Sequence, residues 1–444
     1  MSSSSPLCEA RQLTLPKLLH TSTPHLSSLM YDSKSSSLAF RHFDSSFSLY
    51  PCVNPLRLSS FPSPQTLIPS PTSSATFLHL QTSPESATTL FLTCSPVLRP
   101  SSSTLFRFYV LRDDRFGKIK VLSNHRDLVW DQSKGGMVFN TNHGVSMKLS
   151  GGINVFSLYS VSNSKIWVFA VRLICDNVGP EALKLMKCAV IDCCFPIFEI
   201  RVLFGFLILG EENGVRVFPL RPLVKGKQRK EKKSGGKRSN LQCGSSNGGK
   251  TLVTDEELNL LSVKSEKREK HNDSVKLRVM KLRQDSKDAG GVFVAFKDKD
   301  FNGSVSVNMP GKSLKAISVE ALSVNKFVIL DSIGNLHVLC LSSSLHGLDA
   351  CCVMKQSIQT MKVLKMAVFH DVSADGCYTV HLMAVSGVDA SVDDSEVEGT
   401  DEKLVTTSVT QAILTSEKIH DMVPMNANAV LILGEGSLFA YAIS

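Results

Sequence analysis

The segment with the sharpest chemical pattern is Gly244-Ser-Ser-Asn-Gly-Gly-Lys-Thr251. It matches the phosphate-binding pattern G-x-x-x-x-G-K-[ST], in which backbone amides hold phosphates, the lysine reaches them and the hydroxyl binds magnesium. The apolar run Phe327–Asp331 could supply a second magnesium ligand. However, the loop follows Lys-, Gly- and Ser-rich sequence instead of a buried strand, and Phe327–Asp331 is better explained as half of a hairpin. We therefore expect a non-enzymatic protein, with a nucleotide-binding hydrolase as the alternative.

A second chemical signal is a dense basic run. Residues 225–238 contain eight basic residues and one acid, and they account for most of the net charge of +9. Such a cluster on a flexible loop suits the acidic grooves of a nuclear import receptor. Contact with nucleic-acid phosphates and a merely solvated loop stay open, although no aromatic residues are interleaved to stack on bases. The nuclear-import candidates are Lys225, Lys227, Arg229, Lys230, Lys232, Lys233, Lys237 and Arg238.

An acidic run lies further along the chain. Residues 389–402 carry seven acids and no base. Ser391 precedes Asp393 and Asp394, and Ser395 precedes Glu396, as acid-directed kinases prefer. Phosphate on either serine would deepen an already negative patch. Ser391 and Ser395 are therefore phosphorylation candidates, with an unmodified solvated loop as the alternative.

Other residues that often carry chemistry form no recognisable site. His337 and His381 lie inside apolar runs, where a structural histidine is expected, and no HExxH, Ser/His/Asp order or paired carboxylates stand out. The twelve cysteines include no CxxC, and no secretory signal precedes them. We expect reduced thiols in an intracellular compartment, without a cofactor or a metal. We also expect no membrane span, because the most apolar run, 202–210, is far shorter than the roughly 20 residues required.

The first hundred residues are rich in Ser, Thr and Pro and contain few acids. This composition resembles an organelle transit peptide, which makes a plastid or mitochondrial β protein a further alternative. Residues 29–43, however, have the pattern of a hairpin. The folded domain is therefore expected to start near residue 25, after a flexible Ser-rich N-terminus.

The elements that would position any site are β-hairpins. Five segments repeat an apolar run, a tight polar turn and a second apolar run: 106–122 around Arg115–Gly117, 154–169, 206–218, 327–340 and 429–441. Asn-Gly, Gly-Asn and Gly-Glu-Gly supply the positive φ angles that tight hairpin turns require. Repeated antiparallel hairpins predict an all-β architecture.

The hairpin turns recur about every 45 to 50 residues, as from Gly117 to Asn163 and on to Gly214, which is the spacing of four-stranded propeller blades. On this spacing and hairpin shape, residues 25–223 and 275–444 resemble a degenerate WD-repeat-type β-propeller. The resemblance implies about six to seven four-stranded blades, with each hairpin giving the inner and third strands. The Gly-His and Trp-Asp dipeptides of that family are missing, since Trp130-Asp131 is expected in a turn.

The sequence thus predicts four regions: a flexible N-terminus (1–24), a first propeller half (25–223), a disordered basic insertion (224–274) and a second propeller half (275–444) with an acidic loop (389–403). The expected function is a scaffold for protein partners, in a nuclear or nucleocytoplasmic complex. Its expected location is the nucleus, with the cytoplasm as the alternative.

Overall fold

The computed structural model of the chain describes fourteen ranges: 10–13, 25–54, 63–83, 86–97, 103–140, 146–174, 181–225, 279–296, 313–341, 352–356, 363–372, 378–386, 418–425 and 429–443. Within these ranges the chain forms seven β-sheets and two short helices. Six sheets have at least four strands and are named blades 1 to 5 and blade 7. Sheet 6 has two strands.

The strands of the first half follow the chain order with two exceptions, since blade 7 takes the first strand and blade 3 takes β10. They are β1 (Ala10–Leu13) of blade 7; β2 (Leu26–Asp32), β3 (Ser37–His42), β4 (Phe47–Tyr50) and β5 (Thr66–Ile68) of blade 1; β6 (Ser74–Ser83), β7 (Ser86–Val97), β8 (Ser103–Arg112) and β9 (Arg115–Lys118) of blade 2; β10 (Lys120–Leu122) of blade 3; β11 (Leu128–Asp131) and β12 (Gly136–Phe139) of blade 2; and β13 (Met147–Gly151), β14 (Val155–Ser160), β15 (Lys165–Ile174) and β16 (Ala182–Asp192) of blade 3.

The second half continues in the same way. It contains β17 (Glu199–Leu203), β18 (Phe206–Glu211) and β19 (Gly214–Pro219) of blade 4; helix α1 (Leu220–Lys225); β20 (Met280–Arg283) of blade 3; a 3-10 turn (Lys287–Ala289); β21 (Val292–Ala295) of blade 4; β22 (Ala316–Ser323), β23 (Lys326–Asp331), β24 (Leu336–Leu341) and β25 (Cys352–Gln356) of blade 5; β26 (Val363–Val372) and β27 (Tyr378–Ser386) of sheet 6; and β28 (Asp421–Met425), β29 (Ala429–Leu433) and β30 (Leu438–Ile443) of blade 7.

The first strands of consecutive sheets stand side by side in a ring. β6 contacts β13, β13 contacts β17, β17 contacts β22, β22 contacts β26, β26 contacts β28, and β28 contacts β2. His79 on β6 pairs with Asp32 on β2, which closes the ring. Antiparallel sheets arranged around a ring, each with its first strand innermost, form a β-propeller. The all-β propeller predicted from the hairpins is therefore confirmed. The side of the ring on which the first strands begin is called the upper face.

The hairpins occupy different places in the blades from those expected. The hairpins of 154–169, 206–218, 327–340 and 429–441 each supply the second and third strands of a sheet, not the inner and third. A hairpin pattern identifies two paired neighbours but carries no information about which edge faces the channel. Trp130-Asp131 is also placed differently, because these two residues end strand β11.

The core consists of seven hydrophobic clusters, one at each junction between consecutive sheets in the described residues. This follows from strand alternation, which gives every blade two apolar faces that must both be covered. The largest cluster lies between blades 2 and 3 and is rich in aromatic rings. At this junction the inner strands approach so closely that a Cβ on Gly151 would overlap the carbonyl oxygen of Phe77.

Side-chain oxygens join the inner strand of one blade to the inner strand of the next. The channel-facing edge of a first strand has N–H groups that no sheet partner can satisfy. Ser74 and Thr76 on β6 accept hydrogen bonds from the amides of Leu149 and Gly151 on β13, at 3.0 and 2.9 Å. The Asp421 carboxylate on β28 likewise accepts the amide of Leu29 on β2 at 2.9 Å. Polar residues in the first strands thus fix each blade to its neighbour.

Blade 7 is completed by a strand from the N-terminal region. Residues 10–13 (β1) pair antiparallel with β30 and become the fourth strand of blade 7. Residues 10–13 are thus a strand within the segment 1–24 that was expected to be a flexible N-terminus, and residues 1–9 and 14–24 lie outside the described residues. The physical reason is that β30 would otherwise be an open edge, and a four-residue segment is long enough to cover it.

The basic insertion departs from blade 4. Helix α1 follows the third strand of that blade, with Leu220 and Leu223 buried, and contacts β16. After the insertion, β20 pairs in parallel with the same strand β16. Both ends of the insertion are thus anchored on the outer part of blade 3. Residues 226–278 themselves, including the helix considered for 255–270, lie outside the described residues.

Two further observations concern helices and thiols. None of the helices in the described ranges has the length and apolarity that a membrane crossing needs.

Burial raises the pKa of the Cys94 thiol to about 12, and burial together with nearby Cys194 raises the pKa of the Cys193 thiol to about 12. Both thiols are therefore protonated and poor nucleophiles at neutral pH.

Candidate functional site

The first strands place six charged residues around the central channel. They come from β13, β17, β22, β26 and β28, and we call them the channel cluster: Lys148, Glu199, Arg201, Glu320, Lys365 and Asp421. In sequence, each interrupts an apolar or alternating run, as Glu199 and Arg201 do around Ile200. That interruption is the sequence signal by which the channel cluster could have been predicted.

Arg201 is the centre of the channel cluster. Its Nη2 lies 2.6 Å from Glu320 Oε1 on the next blade, and its Nε lies 2.9 Å from Glu199 Oε1 on its own strand. The second contact is an ion pair without hydrogen-bond geometry, since Arg201 Nε has no hydrogen-bond partner. The Glu320 charge, together with Glu199 and Asp421, raises the pKa of Arg201 above its usual range. The guanidinium thus links blades 4 and 5 electrostatically.

The carboxylates of the cluster respond to partial burial. Desolvation raises the pKa of Glu199, and the positive charges of Arg201 and Lys148 only partly offset this. Desolvation also raises the pKa of Asp421, against hydrogen bonding from the amide of Leu29. Raised carboxyl pKa values occur at functional sites, but structural ion-pair networks produce them as well. Here every carboxylate faces a cation or a backbone amide, so the cluster holds inner strands together.

Two Asp–His pairs are candidate acid–base groups, one fully buried and one with a half-buried histidine. In blade 5, His337 Nε2 lies 3.0 Å from Asp331 Oδ2, both side chains are at most 1% exposed, and the imidazole stacks on Phe296 at 4.1 Å. Between blades 1 and 2, His79 Nε2 lies 3.0 Å from Asp32 Oδ1. A substrate cannot reach His337 through this packing. The expectation of a structural histidine at position 337 therefore agrees with its surroundings.

Asp331 also bears on the alternative of a nucleotide hydrolase. Its carboxylate accepts hydrogen bonds from the amides of Ile333 and Asn335, from Asn335 Nδ2 and from His337. All its acceptor positions are used to form the β23–β24 turn, as the hairpin interpretation predicted. Asp331 therefore has no free oxygen for a magnesium ion, and the phosphate-binding pattern of 244–251 lies outside the described residues.

The other sequence candidates are only partly placed. Lys225 is the exposed last residue of α1. The described residues do not include the remaining import candidates, Lys227 to Arg238. They also do not include the acidic loop 389–403 with its two phosphorylation candidates, Ser391 and Ser395. In the described ranges, no group of three or more His, Cys, Asp or Glu residues is arranged to hold a metal ion.

The surface feature that the sequence did not reveal is an uneven distribution of exposed apolar side chains. Of the thirteen exposed large hydrophobic residues in the described ranges, six lie at the upper face, in turns or at the beginnings of first strands, and two lie in turns at the opposite face. Exposed apolar groups that share one face mark interaction sites more often than scattered ones do. The six are Phe43, Val161, Phe195, Ile317, Ile333 and Leu364.

Comparisons with known proteins give a structural likeness only. The chain is similar to the β-propeller domain of Cps50 (Swd1) from Myceliophteria thermophila, with 7% identity, a TM-score of 0.41 and coverage of 98% of this chain and 100% of that one. It is also similar to Hsv2p from Kluyveromyces lactis, with 8% identity, a TM-score of 0.30 and coverage of 75% and 85%. No protein-family model and no curated protein matches the chain. The fold assignment above rests on the chain's own strand order and ring closure.

Proposed function

We propose that this chain is a non-enzymatic β-propeller scaffold whose upper face binds protein partners. The observation that carries the proposal is the set of apolar side chains exposed at that face, among them Phe43 at 70%, Phe195 at 49% and Leu364 at 56%. They come from blades 1, 3 and 5, from sheet 6 and from the connection between blades 3 and 4. Aromatic and aliphatic anchors on a rigid frame supply most of the affinity at protein interfaces.

The proposal is tested by affinity purification of the tagged protein from its own cells. Wild type is compared with Phe43→Ser/Phe195→Ser at the upper face and with Phe204→Ser/Val324→Ser, which changes exposed residues at the opposite face. We expect defined proteins to co-purify with wild type and with the control pair, and to be lost with the upper-face pair. Wild type that purifies without partners would contradict the scaffold function.

We further propose that the scaffold works in the nucleus, as part of a nuclear or nucleocytoplasmic complex. Support comes from the basic run, which continues directly from the exposed Lys225 at the end of α1. Buried Leu220 and Leu223 anchor that helix, so an import receptor could bind the residues beyond it without disturbing blade 4.

Replacing the seven basic residues between 227 and 238 by serine should abolish nuclear accumulation of a tagged protein. Its thermal unfolding should be unchanged, because the substituted residues follow α1 in the chain and do not include its buried anchors Leu220 and Leu223. Lys118→Ser/Lys120→Ser, which removes two exposed cations from blades 2 and 3, is the control. Unchanged nuclear signal in the basic variant, or accumulation of wild type in a plastid or mitochondrion, would refute nuclear import through this segment.

A further inference from the structure

Three first strands carry the same local irregularity at their second residue. The register of β2 against β3 shifts between Leu26 and Ser28, that of β22 against β23 between Ala316 and Ser318, and that of β26 against β27 between Val363 and Lys365. In each case one residue is left unpaired, as in a β-bulge. The three unpaired residues are Ser27, Ile317 and Leu364. All lie at the upper end of the channel.

The irregularity does not itself require an apolar side chain. In blade 1, the Ser27 hydroxyl lies 3.2 Å from the carbonyl oxygen of Arg41 and 3.3 Å from that of His42, so it hydrogen-bonds to the adjacent strand. At the equivalent positions of blade 5 and sheet 6, Ile317 is 40% exposed and Leu364 is 56% exposed. An aliphatic side chain exposed to water at these positions does not stabilise the fold. Serine would fit the fold at these positions, as it does in blade 1.

A third exposed aliphatic residue lies beside these two. Ile333, 44% exposed, is in the β23–β24 turn. Two hydrogen bonds join this turn to the beginnings of both first strands. The amide of Lys315, just before β22, donates to Ser332 Oγ at 3.1 Å, and the amide of Val363 donates to the carbonyl of Gly334 at 2.9 Å. Ile317 and Leu364 therefore flank the turn that contains Ile333, and we call these three residues the aliphatic patch.

The charged groups around the aliphatic patch that form no ion pair in the described ranges are two cations and one carboxylate. Lys315 Nζ lies 5.0 Å from the centre of the Phe198 ring, and Lys148 Nζ donates to the carbonyl of Phe198. Neither ammonium group forms an ion pair within the described residues. Lys365, next to Leu364, forms a long ion pair with Asp421, with 3.9 Å between Nζ and Oδ1. Glu212, on the neighbouring β18–β19 turn, is exposed and forms no ion pair in the described ranges, so two cations without an ion pair, Lys315 and Lys148, face one such carboxylate.

We infer that the aliphatic patch is the docking site for a segment of a partner protein in which acidic residues flank a bulky aliphatic or aromatic side chain. The apolar side chain would cover Ile317, Ile333 and Leu364, and a carboxylate would pair with Lys315. This inference rests on the proposed scaffold function and gives the chemistry of the partner.

The test uses a displayed library of random short peptides, selected on the purified full chain. We expect the enriched peptides to combine acidic residues with a bulky apolar residue. A fluorescent copy of an enriched peptide is then titrated against Ile317→Ser/Leu364→Ser, against Lys315→Glu, and against the control Leu67→Ser/Val353→Ser, which removes exposed aliphatic groups from outer strands. The first two should bind at least about tenfold more weakly than wild type, while the control should bind equally well.

Thermal unfolding of the serine pair should match that of wild type, since serine is accommodated at the same bulge in blade 1. Enriched peptides without acidic residues, or equal binding by the serine pair, would overturn the inference. If peptide selection fails while wild type still co-purifies partners that depend on Phe43 and Phe195, the inference fails and the scaffold function stands. If wild type binds neither peptides nor partners, both fail.

Discussion

Phe169→Ala should lower the free energy of unfolding by about 3–5 kcal/mol, because it removes a fully buried ring from a core that cannot collapse around the gap. Phe169 lies at the junction between blades 2 and 3 and is 0% exposed. Its ring stacks on Phe156 at 4.9 Å and meets Phe139 and Phe106 edge-on at 5.5 and 5.7 Å. These four rings come from strands of both blades, so the cavity would weaken the junction itself.

Denaturant unfolding of the purified protein measures this effect. Phe169→Leu keeps an apolar side chain and should cost clearly less than the alanine variant. The matched control is Phe43→Ala, because Phe43 is 70% exposed at the upper face and its removal leaves no cavity. Equal losses in Phe169→Ala and Phe43→Ala would show that the blade 2–blade 3 junction does not depend on this ring cluster.

Asp331→Ala should also be strongly destabilising. The variant leaves the amides of Ile333 and Asn335 and the ring of His337 without their acceptor. The loss at His337 is costly because its side chain is only 1% exposed. The two amides are only partly buried, so most of the cost comes from the buried Asp331–His337 pair. Removing one member of a buried charged pair costs about 3–5 kcal/mol, and we expect a loss of that order. Ser332→Ala, in the same turn, keeps the Asp331 carboxylate and is the control for a general effect of changing the turn.

The same carboxylate predicts a dependence of stability on pH. Burial alone would raise the pKa of Asp331, but hydrogen bonds from His337, Asn335 and Ile333 outweigh it and hold the pKa below the ordinary 3.8. A depressed folded-state pKa gives stability that is present above the unfolded-state value and is lost as pH falls through the folded-state value. Asp32 acts in the same direction, because bonding to His79 and Ser35 outweighs its burial.

Wild type should therefore lose stability as pH falls below about 4, the ordinary range of an aspartate. Asp331→Asn, which cannot ionise, should show a smaller loss over that window while being less stable at neutral pH. Thermal unfolding followed at a series of pH values measures both. An identical acid dependence in wild type and Asp331→Asn would mean that this carboxylate is not held ionised by the turn.

Several features follow from the sequence because they depend on local chemistry. Alternating and apolar runs specified the strands, and turn residues specified the hairpins: Asn213 and Gly334 have positive φ values of 59° and 88°. One turn was placed slightly wrongly, since the β8–β9 turn is formed by Asp113 and Asp114, with φ values of 45° and 57°, and not by Arg115–Gly117. Aspartate tolerates positive φ values, so a tight turn formed here without glycine. The regular spacing of these turns was enough to predict a propeller.

Other features were decided only by the tertiary structure, because they depend on which distant edges meet. Residues 10–13 pair with a strand more than 400 positions away, and no local pattern distinguishes them from the rest of the Ser-rich N-terminus. The channel cluster joins charges from five strands, and Arg201 meets Glu320 only because blades 4 and 5 are adjacent. The aliphatic patch arises because two register shifts and one turn fall at the same end of neighbouring sheets. Periodicity along the chain specifies the strands, but the closure of the ring decides which side chains lie together.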